Sequence, residues 1–164
     1  MKTRSRMISL LAALLIGLCI HVPVVLAEEA NTPESAAKAF AKAYFMLDET
    51  MSDHLSQAAL VNEHGVNMVE LYFQVKKQEA VSRGYELDYL KMRPILMKTQ
   101  VVTEDDSAAT IALTAVLIRS INPLYRMVGY VFGLVEEHEV RTTVTVVKEN
   151  GTWKVGPGAL GLSV

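Results

Sequence analysis

Four acids and bases fall near expected helix ends, where a pocket could take them up: Asp48, Asp53, His54 and Asp88. A carboxylate or imidazole in a dry site can move a proton, provided a hydrogen-bond donor faces the oxyanion that develops. Tyr44 and Tyr72 are residues of the type to donate. Together they would suit proton transfer with an interior Asp or His as general acid or base. Each also has a simpler role. Asp53 sits where a helix dipole favours negative charge, His54 shares that exposed first turn, and Asp88 lies between Tyr85 and Tyr89 in a connector. No spacing joins them into a pair, so the sequence assigns no catalytic residue.

Metal chemistry has less to draw on. Glu136, Glu137, His138 and Glu139 form an acidic cluster, with Glu137 and Glu139 on one face of an expected strand. A hard cation needs several converging oxygens, and two alternate glutamates fall short of that. They read as the solvated start of the strand. Glu104-Asp105-Asp106 has the acidity of a turn without calcium-loop spacing, and His64 beside Gly65 is a turn residue. The sequence therefore implies no metal ligand set and no cofactor.

Helices come first among the elements that must position these groups. Thr32-Pro33-Glu34 reads as N-cap, first helical residue and acidic first turn. Ala36, Ala37, Phe40, Ala41, Tyr44 and Phe45 then recur on one face, with Lys38 and Lys42 outward. Ser52-Asp53 can cap a second helix to about Val61, with Leu55, Ala58 and Ala59 inward. A third spans about Val66 to Arg83, burying Val69, Tyr72, Phe73 and Ala80, and stops at Gly84.

From Leu90 the period becomes two. Ile95, Met97, Thr99 and Val101 share one strand face, an acidic turn follows, and Ala109, Ile111, Leu113, Ala115 and Leu117 line the returning strand. In a last strand Val140, Thr142, Val144 and Val146 alternate with Arg141, Thr143, Thr145 and Val147. Asn150-Gly151 then turns the chain back to Trp153 and Val155. Between the two hairpins, Asn122-Pro123 opens a segment to Val135 whose apolar residues recur at helical spacing. It is expected to form a short helix, with a long bent hairpin as the alternative. Helices followed by antiparallel strands define an α+β class.

Lys2, Arg4 and Arg6 precede an apolar run from Met7 to Ile20, and Val25-Leu26-Ala27 follows, the pattern of a signal peptide cleaved after Ala27. The expected organisation is a leader at 1–27, one domain at 28–156 and a Gly-rich tail at 157–164. The three basic residues lie in the leader, leaving 13 basic against 18 acidic residues, a formal charge of −5. An acidic domain offers nucleic acid no footprint. Cys19 is the only cysteine, so the mature chain forms no disulfide and depends on core packing in an oxidising compartment. The expected location is the periplasm, either soluble or loosely membrane-associated, with no membrane span in the mature chain.

Thr32-Pro33-Glu34 at the start and Asn150-Gly151-Thr152-Trp153-Lys154-Val155 at the close give residues 32 to 156 a pattern that resembles the nuclear-transport-factor-2-like superfamily. That resemblance implies N-terminal helices packed in a curved, mostly antiparallel sheet, a cone. Such folds host isomerases, dehydratases, cyclases, hydrophobe carriers and assembly modules, so fold alone does not choose among them. In a cone, Phe40, Tyr44, Tyr72, Phe73, Met97 and Trp153 are candidates to line an apolar pocket or simply to fill the core. The segment 122 to 135 departs from the pattern in length and apolarity, with Arg126 its only charge. Leu124, Met127, Tyr130, Val131 and Phe132 are its candidate contacts for a partner protein, for self-association or as a lid. Too short to span a bilayer and with Arg126 as its single basic residue, it favours a protein contact over a lipid one. The expected function is a non-catalytic exported module that binds a partner protein or a small apolar ligand through the mouth of the cone and the segment 122 to 135.

Overall fold

The first helix, α1 (Pro33–Phe45), starts as its sequence dictates. The Ser35 N–H donates to Thr32 Oγ1 at 3.2 Å, and the Thr32 N–H donates to Ser35 Oγ at 3.1 Å. This reciprocal cap satisfies two donors that a helix start otherwise leaves open. The computed structural model describes residues 31–120 and 123–161. The expected leader, Asn122 as a cap and the end of the tail lie outside them.

Helix α1 closes with Leu47 in the left-handed region, φ +49°, while the Asp48 N–H donates to the Ala43 carbonyl at 2.9 Å. A residue with a Cβ pays roughly 1–2 kcal/mol for that conformation. Burial of the Leu47 side chain, 8% exposed, offsets it. Next, Asp48 caps a 3-10 helix (Glu49–His54), accepting from the Thr50 N–H at 3.0 Å and the Thr50 hydroxyl at 2.8 Å.

The second helix departs from expectation. Leu55 and Ser56 are extended, with Leu55 bridged to Val155 in parallel fashion and the Ser56 N–H donating to the Val155 carbonyl at 2.9 Å. Pairing with a distant strand end breaks the helix at this point. It restarts as α2 (Gln57–Leu60), capped by Ser56, and Ala58 faces solvent rather than the core. Helix α3 (Met68–Ser82) follows its periodicity. Asn67 Oδ1 accepts from the Val69 and Glu70 N–H groups at 3.0 and 3.1 Å, and Gly84 ends the helix at φ +73°.

Four antiparallel strands form a curved, unclosed sheet in the order β1-β2-β3-β4: β1 (Met92–Glu104), β2 (Ala108–Arg119), β3 (Glu137–Glu149) and β4 (Thr152–Val155). Asp105 Oδ1 ties the first turn, accepting from the Ser107 and Ala108 N–H groups at 2.7 and 2.8 Å. These hydrogen bonds, the Ser107 N–H foremost, hold its carboxyl below the usual range. Asn150 and Gly151, at φ +51° and +81°, make the two-residue turn between β3 and β4, matching the twist of the strands.

Along β2, Ala109, Ile111, Leu113, Ala115 and Leu117 are all buried as their alternation predicts. In β1 the register shifts between Pro94 and Leu96 and again between Val101 and Thr103. The first bulge turns Ile95 outward, 46% exposed, away from the face that Met97, Thr99 and Val101 share. Phe40, Met51, Ile111, Leu113, Leu117, Val144, Val146 and Val155 join in one core between α1 and the sheet.

The segment between the hairpins is helical: α4 (Pro123–Val131). Its end explains both glycines. Gly133 takes φ +65°, and the Leu134 N–H donates to the Gly129 carbonyl at 2.8 Å, a left-handed helix stop. Gly129 is buried under Val135, whose Cγ2 would lie 3.0 Å from any Cβ added there. After β4, the Gly156 N–H donates to the Thr145 carbonyl at 2.8 Å, and residues 157–161 fold back. Expected to be a loose tail, they bury Ala159 in the core and end in a 3-10 turn (Ala159–Gly161).

Candidate functional site

Aromatic side chains chosen from the sequence meet along the seam between α1 and α3. Phe40 and Tyr44 have ring centroids 5.7 Å apart, Tyr44 stacks on Tyr72 at 5.0 Å, and Tyr72 meets Phe73 edge-on at 6.0 Å. Phe40 is fully buried and Trp153 nearly so, both within the core, and neither lines a described groove. Phe73 and Met97 are partly buried and pack against the same core. Of the six, Tyr44 and Tyr72 line the grooves described below.

Two grooves flank Tyr72. The larger, about 550 Å³, lies between α2, α3 and the turn after β4. Leu55, Ala59, Met68, Leu71, Val75 and Leu160 give it aliphatic walls, and Ala58 and Gly158 leave room at its rim. Asn62 and Tyr72 contribute its polar side chains, and no charged residue lines it among the described residues. The Tyr44 hydroxyl donates to the Leu160 carbonyl at 3.4 Å, fastening the C-terminal wall to α1.

A smaller cleft of about 210 Å³ opens on the other side of Tyr72, toward Lys76, Glu79, Arg83, Arg119 and His138. Glu79, Lys76 and Arg83 are engaged with one another, and Arg119 with Tyr89. Glu79 pairs with Lys76 at 2.9 Å and with Arg83 at 3.0 Å, and the Lys76 hydrogen bond foremost keeps its carboxyl below the usual range. Arg119 donates to the Tyr89 carbonyl at 2.8 Å and stacks 4.5 Å from that ring. Burial raises the Tyr44 phenol above its ordinary value. Tyr72 is raised further, by burial first and then by its contact with Tyr44. Both phenols therefore stay protonated and act as donors, not bases.

The acids and bases considered for catalysis do not converge. Asp48 is an exposed cap whose carboxyl the Thr50 N–H holds below its usual range. Asp53 is exposed, and its carbonyl accepts from Lys154 Nζ. His54 is half-buried in the same turn, and exposed Asp88 pairs with Lys91 at 2.8 Å. At the start of β3, Glu139 binds Arg141 at 2.8 Å and Glu136 lies 3.9 Å from His138. Among the described residues no group of three His, Cys, Asp or Glu is placed to hold a metal, and no helix is long and apolar enough to cross a membrane.

The contact residues chosen on the inter-hairpin segment all lie at the surface. Leu124, Met127, Tyr130, Val131 and Phe132 are between 52% and 76% exposed, and Tyr125, Val128 and Leu134 accompany them. Sequence reasoning missed the larger groove. Met68, Leu71 and Val75 form a second apolar stripe on α3, at i, i+3 and i+7, beside the inward stripe of Val69, Tyr72 and Phe73, and that stripe was the available signal. Comparison of the sequence with models of known protein families and with curated proteins finds no match. The fold is α+β, with a curved antiparallel sheet behind an N-terminal helix and an uncharged groove beside α3.

Proposed function

We propose that this chain is a non-catalytic, exported binding module that takes a small, uncharged, largely aliphatic molecule in the groove beside α3. The groove carries this reading. At about 550 Å³ it falls within the size range of small-ligand sites, and its walls are aliphatic with Asn62 as a polar handle. A charged ligand would lose its hydration there without gaining a counter-charge. The resemblance to the nuclear-transport-factor-2-like superfamily, which includes hydrophobe carriers, is compatible with the curved sheet and adds support. The basic and apolar character of residues 2–27 supports export to the periplasm.

Ala58→Trp tests the proposal, because Ala58 is exposed at the groove rim and tolerates a larger side chain. A fluorescent naphthylamine probe should bind the wild-type chain and bind Ala58→Trp at least roughly tenfold more weakly, about 1.4 kcal/mol. Thermal melting should be unchanged. Equal binding by both proteins, or no binding of the probe by the wild type, would overturn the reading.

A further inference from the structure

We infer that α4 and the turn after it form a homodimer contact, in which two copies of this chain pack their α4 helices antiparallel about a two-fold axis near Met127. Between Leu124 and Leu134, eight large apolar side chains are 45% to 76% exposed. They present on the order of 900 Å² of apolar surface, about what one partner gives to a standard protein interface. Isolated exposed hydrophobes need no explanation, but a run of this size on one surface lobe does.

The lobe is shaped before any partner arrives. Gly133 at φ +65° stops the helix, the Leu134 N–H returns to the Gly129 carbonyl at 2.8 Å, and Val135 packs against Gly129. Arg126, its only charge, is half-buried, and the exposed side chains of the segment are apolar. A preformed surface loses little conformational entropy on association.

Charge favours a second copy over a lipid surface. The chain leaves the lobe through Glu136, Glu137 and Glu139, all exposed, and an anionic membrane would repel them. A parallel pair of lobes would also bring these acidic bases together. An antiparallel pair separates them by about the length of a nine-residue helix, ~13 Å, beyond the Debye length of ~8 Å at physiological salt. The surface is then self-complementary, as a two-fold interface requires. This contact lies on a different surface from the ligand groove and does not depend on it.

Sedimentation equilibrium of the chain as produced in cells tests the inference. The wild type should be dimeric at ~10 µM, Val131→Ser should weaken the dimer roughly tenfold, and Met127→Asp should weaken it at least roughly a hundredfold. In dilute protein, where the wild type is dissociated, circular dichroism melts should match the wild type for at least Val131→Ser, which changes only exposed surface. Leu71→Asp, in the groove, should remain dimeric, separating this contact from ligand binding. A wild type that is monomeric at ~100 µM, or a dimer insensitive to Val131→Ser and Met127→Asp, would overturn the inference. So would a monomeric wild type that co-sediments with phosphatidylcholine vesicles, which would assign the lobe to a lipid surface.

Discussion

Strand β2 and the α4 lobe are the two most apolar stretches of the described chain, and they end in opposite surroundings. Ile111, Leu113, Ala115 and Leu117 of β2 are sealed under α1, at most 1% exposed, whereas Val131, Phe132 and Leu134 beside α4 are more than 70% exposed. The strand has a partner on each side and a helix over its face. The helix projects from the end of the β2–β3 hairpin, where no other described element covers its outer surface. Hydrophobicity states that a stretch must be covered. Topology decides whether the same chain does the covering.

The sharpest way to break this contrast is to empty the sealed side. Phe40→Ala, facing β2 from α1, should cost about 3–5 kcal/mol in denaturant unfolding, as expected for a large buried ring. A loss below ~1 kcal/mol would mean that the space around Phe40 is loosely filled, and the distinction between sealed and open regions would weaken.

A smaller effect probes the boundary at Tyr72. Its folded pKa is raised above the ordinary 10.0, chiefly by burial, so the neutral phenol favours the fold. That contribution is complete below the unfolded value and is lost as pH rises toward the folded one. Stability should therefore fall between about pH 9 and pH 11, and Tyr72→Phe should flatten that fall. Denaturant midpoints across this range would show it, and an unchanged slope in Tyr72→Phe would remove burial of the phenol as its cause.

The smallest effect belongs to the open side. Val131→Ser in dilute protein, below the dimerisation range, should change unfolding free energy by less than about 0.5 kcal/mol. A loss comparable to that of Phe40→Ala would show that the lobe is part of the core.

Local signals were legible in the sequence where their chemistry is local. Thr32-Pro33 fixes a helix start through its own hydrogen bonds, and Asn150-Gly151 fixes a turn through permitted positive φ. Alternation along β2 named its buried face because its pairing with β3 is regular throughout and the extra residues of both register shifts lie on β1. Non-local effects were not legible. The bulge at Ile95 depends on register against β2, and the break at Leu55-Ser56 depends on a strand end about a hundred residues later in the chain. The groove was hidden for the same reason. Leu71 and Val75 are visible as a second stripe, but their companion Leu160 is brought beside them only by the fold-back after β4. Phe40 and Trp153 had the composition of pocket residues, and the packing of α1 on the sheet made them core.

Asn31 has a consequence of a different kind. Its side chain donates to the Gly151 carbonyl at 2.8 Å and accepts from the Trp153 N–H at 3.0 Å, while Ser56 takes the Val155 carbonyl. Strand β4 is one edge of the sheet and is only four residues long. An open edge offers its free peptide groups to any extended chain that drifts past, which is how strands add to one another in aggregates. At β4 those groups are already occupied by a side chain and a loop of the same molecule. On the opposite edge, β1 carries Pro94, exposed Lys98 and two bulges, features that discourage the same addition. Both margins of the sheet thus discourage strand-by-strand growth, and the proposed docking between copies would fall to side chains on a helix.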